Sequence, residues 1–198
     1  MTGEKEQQPQ GPARSQRPRE LIGPHRFALT VERIARHLRE RYGDFADAAI
    51  VGIQPRGSFF AERLHARLRE YAPALPLGKL DITFFRDDFR SGGGNIAPDP
   101  MEMPFSTEGK RVILVDDVLY TGRTINAALS ALQSLGRPRR VELAVMVERR
   151  FQRELPIAPD YRGTEVDTID EAYVRVRWRD YDGRDEVVLY PNKEARYT

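Results

Sequence analysis

Apolar positions along the chain fall into two rhythms. Short, mostly apolar runs rich in β-branched or aromatic residues occur at residues 48–53, 80–85, 111–115 and 140–147, and such runs predict strands buried on both faces, as in a parallel sheet. Between them the spacing changes to three and four. Val31, Ile34, Ala35 and Leu38 form one stripe, Phe60, Leu64 and Leu68 a second, and Ile125, Ala128, Leu129 and Leu132 a third that Gly136 closes. These are the buried stripes of amphipathic helices. Near the carboxyl end the period drops to two at residues 173–178 and 186–190, about Asp182-Gly183, which predicts a β-hairpin. Strands alternating with helices in this order predict an α/β fold, a mostly parallel twisted sheet flanked by helices, with a C-terminal β-hairpin. Ligands of such sheets bind at the carboxyl ends of the strands. Residues 54–57, 86–88, 116–124 and the segment after Val147 should therefore share one cleft.

Residues 1–22 are rich in Gln, Pro, Arg, Glu and Gly and offer almost nothing to bury, which predicts a disordered tail before a single domain at residues 23–198. The 198 residues carry 32 Lys and Arg against 30 Asp and Glu, a balance that gives no argument for nucleic-acid binding from totals. With no cysteine, a disulfide framework or thiolate metal site is excluded. No apolar run approaches the roughly 20 residues that span a bilayer, and the start lacks a signal-peptide core. A cytoplasmic protein without a membrane partner is expected. Residues 86–110, rich in Ser, Gly, Asn, Pro and acidic side chains, read as a flexible lid loop, with Gly92, Gly93 and Gly94 supplying its freedom.

The chemistry concentrates in residues 112–124, where an apolar strand runs into Asp116 and Asp117, then into Thr121-Gly122-Arg123-Thr124 at the start of the third helix. A helix N-terminus has unpaired N–H groups and the positive end of the helix dipole. With two hydroxyls and a glycine that lets the backbone approach, it suits a phosphate dianion. Two carboxylates a few residues earlier suit ribose hydroxyls, which donate hydrogen bonds to them, and a Mg²⁺ held partly through water. The simpler alternative is a strand-loop-helix in which Asp117 or Thr121 is only a cap. No Gly-x-x-x-x-Gly-Lys-Ser/Thr occurs, so a P-loop is not supported.

The same pattern resembles the signature of the type I phosphoribosyltransferases. Residues 51–57, 80–88, the main motif with its Leu119-Tyr120, and residues 135–138 through 153–157 together resemble the bacterial pyrimidine operon attenuators, a family with uracil phosphoribosyltransferase activity. The resemblance covers about residues 27–190. It implies a type I phosphoribosyltransferase-like fold, phosphoribosyl pyrophosphate and uracil as substrates, UMP as product, Mg²⁺ as cofactor, a homodimer or larger assembly, and binding to pyrimidine-gene leader mRNA that depends on uridine nucleotide. Carried onto this chain, it makes Asp116 and Asp117 catalytic, with Mg²⁺ near them through water. Val118, Leu119, Tyr120, Thr121, Gly122, Arg123 and Thr124 contact the donor and UMP, and Pro55, Arg56, Gly57 and Arg86 contact pyrophosphate. By family position Arg137 and Val166 neighbour the base. Val166 reads equally as core, and Arg56 equally as an exposed turn arginine.

Tyr120 bears on the base independently. Purine salvage enzymes typically place an aspartate before the Thr-Gly pair to exchange a proton with N7, whereas a tyrosine stays neutral near pH 7. Hypoxanthine or guanine transfer remains the alternative enzyme reading. For RNA, the basic excess at Arg137, Arg139, Arg140, Arg149, Arg150 and Arg153 is one candidate surface and that at Arg33, Arg36, Arg39 and Arg41 another. The ordinary alternative is solvated arginines paired with Glu32, Glu40, Glu142 or Glu148. Two departures from the family stand out: Glu148-Arg149-Arg150-Phe151-Gln152-Arg153 where an Asp-Arg-Gly-His-like run is usual, and Asn126 where an arginine is common. A regulator that binds RNA with little catalysis is the non-enzyme reading.

Overall fold

The structure, a computed structural model, describes residues 17–86, 101–168 and 172–196. In chain order it runs β1 (Arg19–Ile22), α1 (Pro24–Tyr42), β2 (Ala48–Ile53), α2 (Arg56–Leu68), β3 (Leu77–Leu80), β4 (Arg111–Leu119), α3 (Arg123–Ser134), β5 (Arg140–Arg150), β6 (Tyr161–Asp167), β7 (Tyr173–Arg177), the single turn α4 (Arg179–Asp182) and β8 (Glu186–Tyr190). Five strands pair in parallel in the order β3-β2-β4-β5-β6. From β2 the chain goes first to β3 on one side and later to β4 on the other. The reversal leaves a crevice between β2 and β4 at their carboxyl ends, where open α/β sheets bind ligands.

Alternation along the strands decides which helix covers which face. Ile50, Ile113, Val115, Ala144 and Met146 pack with α1 and α2. Their neighbours Val51, Ile53, Val112, Leu114 and Val145 point the other way, onto Ile125, Ala128, Ala131 and Leu132 of α3. The smaller antiparallel sheet β1-β8-β7 lies on the α1 and α2 side. Trp178 fixes it there, fully buried, edge-on to Phe27 with ring centroids 5.1 Å apart and stacked near Phe60 at 5.6 Å.

Three sequence expectations change. The expected tail ends too late, because Arg19–Ile22 pairs antiparallel with β8 and Ile22 enters the core; residues 1–16 lie outside the described residues. The strand expected at residues 80–85 is β3 ending at Leu80, followed by a 3₁₀ turn at Thr83–Phe85. Asp81 causes the break: its Oδ1 accepts from the Thr83 N–H at 2.8 Å and the Thr83 hydroxyl at 2.6 Å, a local turn that competes with the ladder. The strand expected to stop at Val115 continues to Leu119. Most of the expected lid, residues 87–100, lies outside the described residues. The two alternating segments near the carboxyl end pair as β7 and β8, joined through α4 and Gly183, whose φ is +79°.

At the amino edge of the sheet Glu142 is 3% exposed and accepts hydrogen bonds from the Tyr42 hydroxyl (2.9 Å), the Tyr161 hydroxyl (2.7 Å) and Arg41 (3.2 Å), with Arg140 at 2.7 Å. Burial works to raise its pKa, but these donors hold it below the usual carboxylate range. Such a group stabilises the fold above its unfolded value of roughly 4.3, and the contribution is lost as pH falls through the lower folded value. Glu142→Gln is expected to cost about 2 kcal/mol in urea unfolding at pH 7, from donors left without a charged acceptor. The gap to the parent should close as pH drops below about 4.

Candidate active site

The aspartate pair sits where β4 outlasts its neighbour. Pairing of β2 with β4 ends at Gly52 and Val115, while β4 stays paired to β5 as far as Leu119 and Glu148. Asp116 and Asp117 thus stand in ordered strand beside the end of β2, and Asp116 is 6% exposed. The amino end of α2 comes down beside them with no room for a side chain. A Cβ on Gly57 would lie 2.5 Å from the Val115 carbonyl oxygen and 2.9 Å from the Asp116 Cα. Arg56, one residue earlier, reaches Asp117 Oδ2 through Nε at 3.2 Å. Its Nη2 reaches Asp182 Oδ2 at 2.8 Å and the Val176 carbonyl. The exposed-turn reading of Arg56 therefore does not hold. Pro55, at the head of α2, follows a cis peptide bond from Gln54.

Burial governs the charge of the pair. Desolvation, and then the charge of Asp117, push the Asp116 carboxyl well above the usual carboxylate range, with Arg86 pulling the other way. Arg86, after the 3₁₀ turn, is therefore within electrostatic reach of the pair. Asp117 is also raised by burial, with Arg56 opposing. Asp116 Oδ1 accepts the Asp117 N–H at 2.9 Å. A buried and a partly buried carboxylate with one close guanidinium carry excess negative charge that hydroxyl donors or a cation would relieve. Two adjacent carboxylates, hard oxygen donors, would suit a hydrated Mg²⁺; among the described residues no group of three or more His, Cys, Asp or Glu is placed to hold a metal ion by itself.

Beyond the aspartates the chain turns at Gly122, whose φ of +96° is a left-handed conformation natural to glycine, directly into α3. Gly122 has no side chain to cap that helix; the Thr121 hydroxyl accepts the Arg123 N–H at 3.4 Å, and the other N–H groups of the first turn are left for a ligand or water. The turn is fastened from behind: the Thr121 carbonyl accepts the Glu154 and Leu155 N–H groups at 3.0 and 3.2 Å, and Arg123 pairs with Glu154 at 2.6 Å. Leu155 and Ile157 close over Gly122, at 3.3 Å from where its Cβ would be. Val118, Leu119 and Tyr120 lead into the turn, with Leu119 buried. Thr124 lies in the first turn of α3.

Arg149 is 4% exposed and its guanidinium carbon lies 3.7 Å from the Tyr120 ring centroid. It donates to Thr168 Oγ1 and Gln152 Oε1, both at 3.0 Å. Among the described residues no carboxylate lies within 4 Å of it. Arg153 donates to the Tyr120 carbonyl and pairs with Glu148 at 3.0 Å. The segment after β5 thus wraps the residue that precedes the phosphate turn.

The phosphoribosyl transferase domain family matches residues 22–180. The bifunctional protein PyrR of Chloroflexus aurantiacus is 42% identical over 172 residues, 86% of this chain and 94% of that protein. The PyrR of Actinobacillus pleuropneumoniae serotype 5b is also 42% identical, over 88% of this chain and 97% of that protein. The chain belongs to the PyrR group of the phosphoribosyltransferase family. Among solved structures, a hypoxanthine phosphoribosyltransferase of Staphylococcus aureus aligns with TM-score 0.64 and 18% identity, covering 89% of this chain and 93% of that one. That of Trypanosoma cruzi with IMP aligns with TM-score 0.65 and 18% identity, over 90% and 93%. At such identities the likeness carries the phosphoribosyltransferase fold and not the choice of base.

Arg137, expected beside the base, stands apart from the aspartates and the Thr-Gly turn. It follows α3, its N–H donates to Glu108 at 2.7 Å and its carbonyl accepts from Gly109 at 3.0 Å, at the amino edge of the sheet. The twelve residues of α3 separate it from the phosphate turn by roughly 18 Å. Val166 is buried in the core and pairs with Arg149 across β6 and β5. The arginines grouped for RNA do not form one surface. Arg139 and Arg140 lie at the amino edge, paired with Asp47 and Glu142, whereas Arg149 is buried at the carboxyl end and Arg150 pairs with both oxygens of Asp167. The Arg149–Tyr120 contact is the feature missed in the sequence, where neither residue signals that β5 is long enough to bring them together.

Two outcomes follow from the packing and the charge. Gly57→Ala must push α2 from β4, and is expected to destabilise by about 1–3 kcal/mol in chemical unfolding. For Asp116, a folded pKa above the unfolded value of roughly 3.9 means that stability falls as pH rises through that window. Asp116→Asn, which keeps the acceptor for the Asp117 N–H, should therefore unfold at a higher temperature than the parent at pH 7. Near pH 3 the difference should vanish, and a lower melting temperature at pH 7 would contradict this reading of the buried pair.

Proposed function

We propose that this PyrR-family chain makes UMP and pyrophosphate from uracil and phosphoribosyl pyrophosphate, and attenuates pyrimidine genes by binding their leader mRNA when uridine nucleotide fills the same cleft. The observation that carries the reading is the aspartate pair, Asp116 buried and Asp117 partly so, just ahead of the helix N-terminus at Gly122. The 5′-phosphate sits on residues 121–124, where N–H groups and the helix dipole meet its charge. Asp116 and Asp117 take the ribose hydroxyls as acceptors. Mg²⁺, held near them through water, would neutralise charge on the pyrophosphate as it leaves. Uracil N1 attacks the anomeric carbon, the N1–C1′ bond forms as the bond to pyrophosphate oxygen breaks, and the N1 proton passes to solvent. Arg56, Arg86 and the backbone at Pro55 and Gly57 face the departing pyrophosphate.

The base lies toward Tyr120 and Arg149. A phenol covered by a guanidinium offers no carboxylate to share a proton with purine N7, while a buried cation suits a uracil carbonyl oxygen. The regulator works as a homodimer or larger assembly in the cytoplasm. Nucleotide binding shifts a loop or subunit arrangement for which the RNA has the greater affinity.

Incubation with phosphoribosyl pyrophosphate, Mg²⁺ and uracil is expected to yield UMP, with hypoxanthine, guanine and xanthine giving no nucleotide. Turnover of purines alone would overturn the uracil assignment. No turnover, with UMP still sharpening binding to a pyrimidine-leader RNA, would leave the regulator alone. Gly122→Val and Asp117→Ala should each lower kcat/KM for the donor roughly a hundredfold, the first by forcing a β-branched residue into a left-handed turn packed on Leu155 and Ile157, and the second by losing ribose contacts.

A further inference from the structure

Asp182 lies in the turn between β7 and β8, more than 60 residues from either catalytic aspartate in sequence, yet its carboxylate is built into the cleft. Oδ2 accepts from Arg56 Nη2 at 2.8 Å and from the Trp178 N–H at 2.9 Å, and Oδ1 accepts from Arg175 Nη2 at 2.9 Å. The Asp182 side chain is 11% exposed, Arg56 27% and Asp117 14%. Gly183, at φ +79°, ends the turn that aims the carboxylate inward. The result is one chain of charge, Arg175–Asp182–Arg56–Asp117, in which Asp182 is fixed by three donors and itself fixes the guanidinium. The Val176 carbonyl holds the same Nη2 from the strand that precedes the turn.

We propose that Asp182 is a positioning residue for phosphoribosyl transfer, acting through Arg56: the smaller sheet supplies the anchor that keeps the Arg56 guanidinium between Asp117 and the leaving pyrophosphate. A long arginine side chain on a helix terminus has many rotamers, and an anionic post on one nitrogen removes most of them before the donor arrives. Arg175 and the Trp178 N–H balance the charge of Asp182, so that the post holds Arg56 without leaving a bare carboxylate in the path of an anionic donor. The inference rests on the proposed reaction, because it takes Arg56 as a pyrophosphate ligand.

The test is a double-mutant cycle of Asp182→Asn with Arg56→Lys in the full chain, reading KM for the donor, KM for uracil, kcat, and calorimetric affinity for inorganic pyrophosphate. Asp182→Asn is expected to raise KM for the donor and weaken pyrophosphate binding about tenfold with KM for uracil unchanged. Asp182→Glu should recover part of the loss, and Asp182→Asn should add little once Arg56 is lysine. A lowered melting temperature with unchanged donor and pyrophosphate affinity would reduce Asp182 to a structural role and overturn the proposal. So would fully additive losses, or tighter donor binding, which would make Asp182 a competitor for Arg56. If the parent protein makes no nucleotide from any base, the proposed reaction fails separately, and the pyrophosphate titration still decides whether Asp182 governs Arg56.

Discussion

Two carboxylates, adjacent in sequence, one buried and the other largely so, are the constraint around which this molecule is arranged. They cannot sit in the middle of a sheet, where nothing would offset their desolvation, nor on an open surface, where they would not select a ligand. They sit where β4 runs past β2 and remains paired only to β5, at the reversal of strand order. Everything near them answers that placement. Gly57 lets the amino end of α2 come against the strand, Arg56 supplies one opposing charge, and the Thr-Gly turn puts the positive end of α3, which starts at Arg123, a short turn beyond. The remaining imbalance, visible in the raised pKa values of both aspartates, is what ribose hydroxyls and a hydrated cation would relieve.

The smaller sheet joins this arrangement through polar contacts and apolar ones alike. Trp178 seals it against Phe27 and Phe60. Val176 and Asp182 reach past that seal to the Arg56 guanidinium. A segment that the phosphoribosyl transferase domain match covers only as far as residue 180 thus completes the cleft. Stability and catalysis pull in different directions here: the apolar contacts favour the fold, while the ionised Asp116 they enclose works against it in the absence of ligand.

Much of this was legible in the chain because the signals were local. Apolar runs without alternation marked β2, β4 and β5, stripes at three and four marked the helices, and residues 116–124 displayed the acidic pair and phosphate turn together. What escaped depended on partners distant in sequence. Arg19–Ile22 looks like tail until β8 offers it a ladder. Asp81 ends a strand through a hydrogen bond to Thr83 that composition does not reveal. Arg137 and Arg149 belong to one basic stretch by sequence, but β5 carries them to opposite ends of the sheet, so that one borders Glu108 and the other Tyr120. The role of Asp182 required knowing that a hairpin turn folds back over the head of α2.

The most direct measurement is a crystal structure of the protein with UMP. The account predicts the nucleotide phosphate on the backbone of residues 121–124, the ribose hydroxyls on Asp116 and Asp117, and the base beside Tyr120 and Arg149. UMP lodged elsewhere, with residues 121–124 free of phosphate, would contradict it.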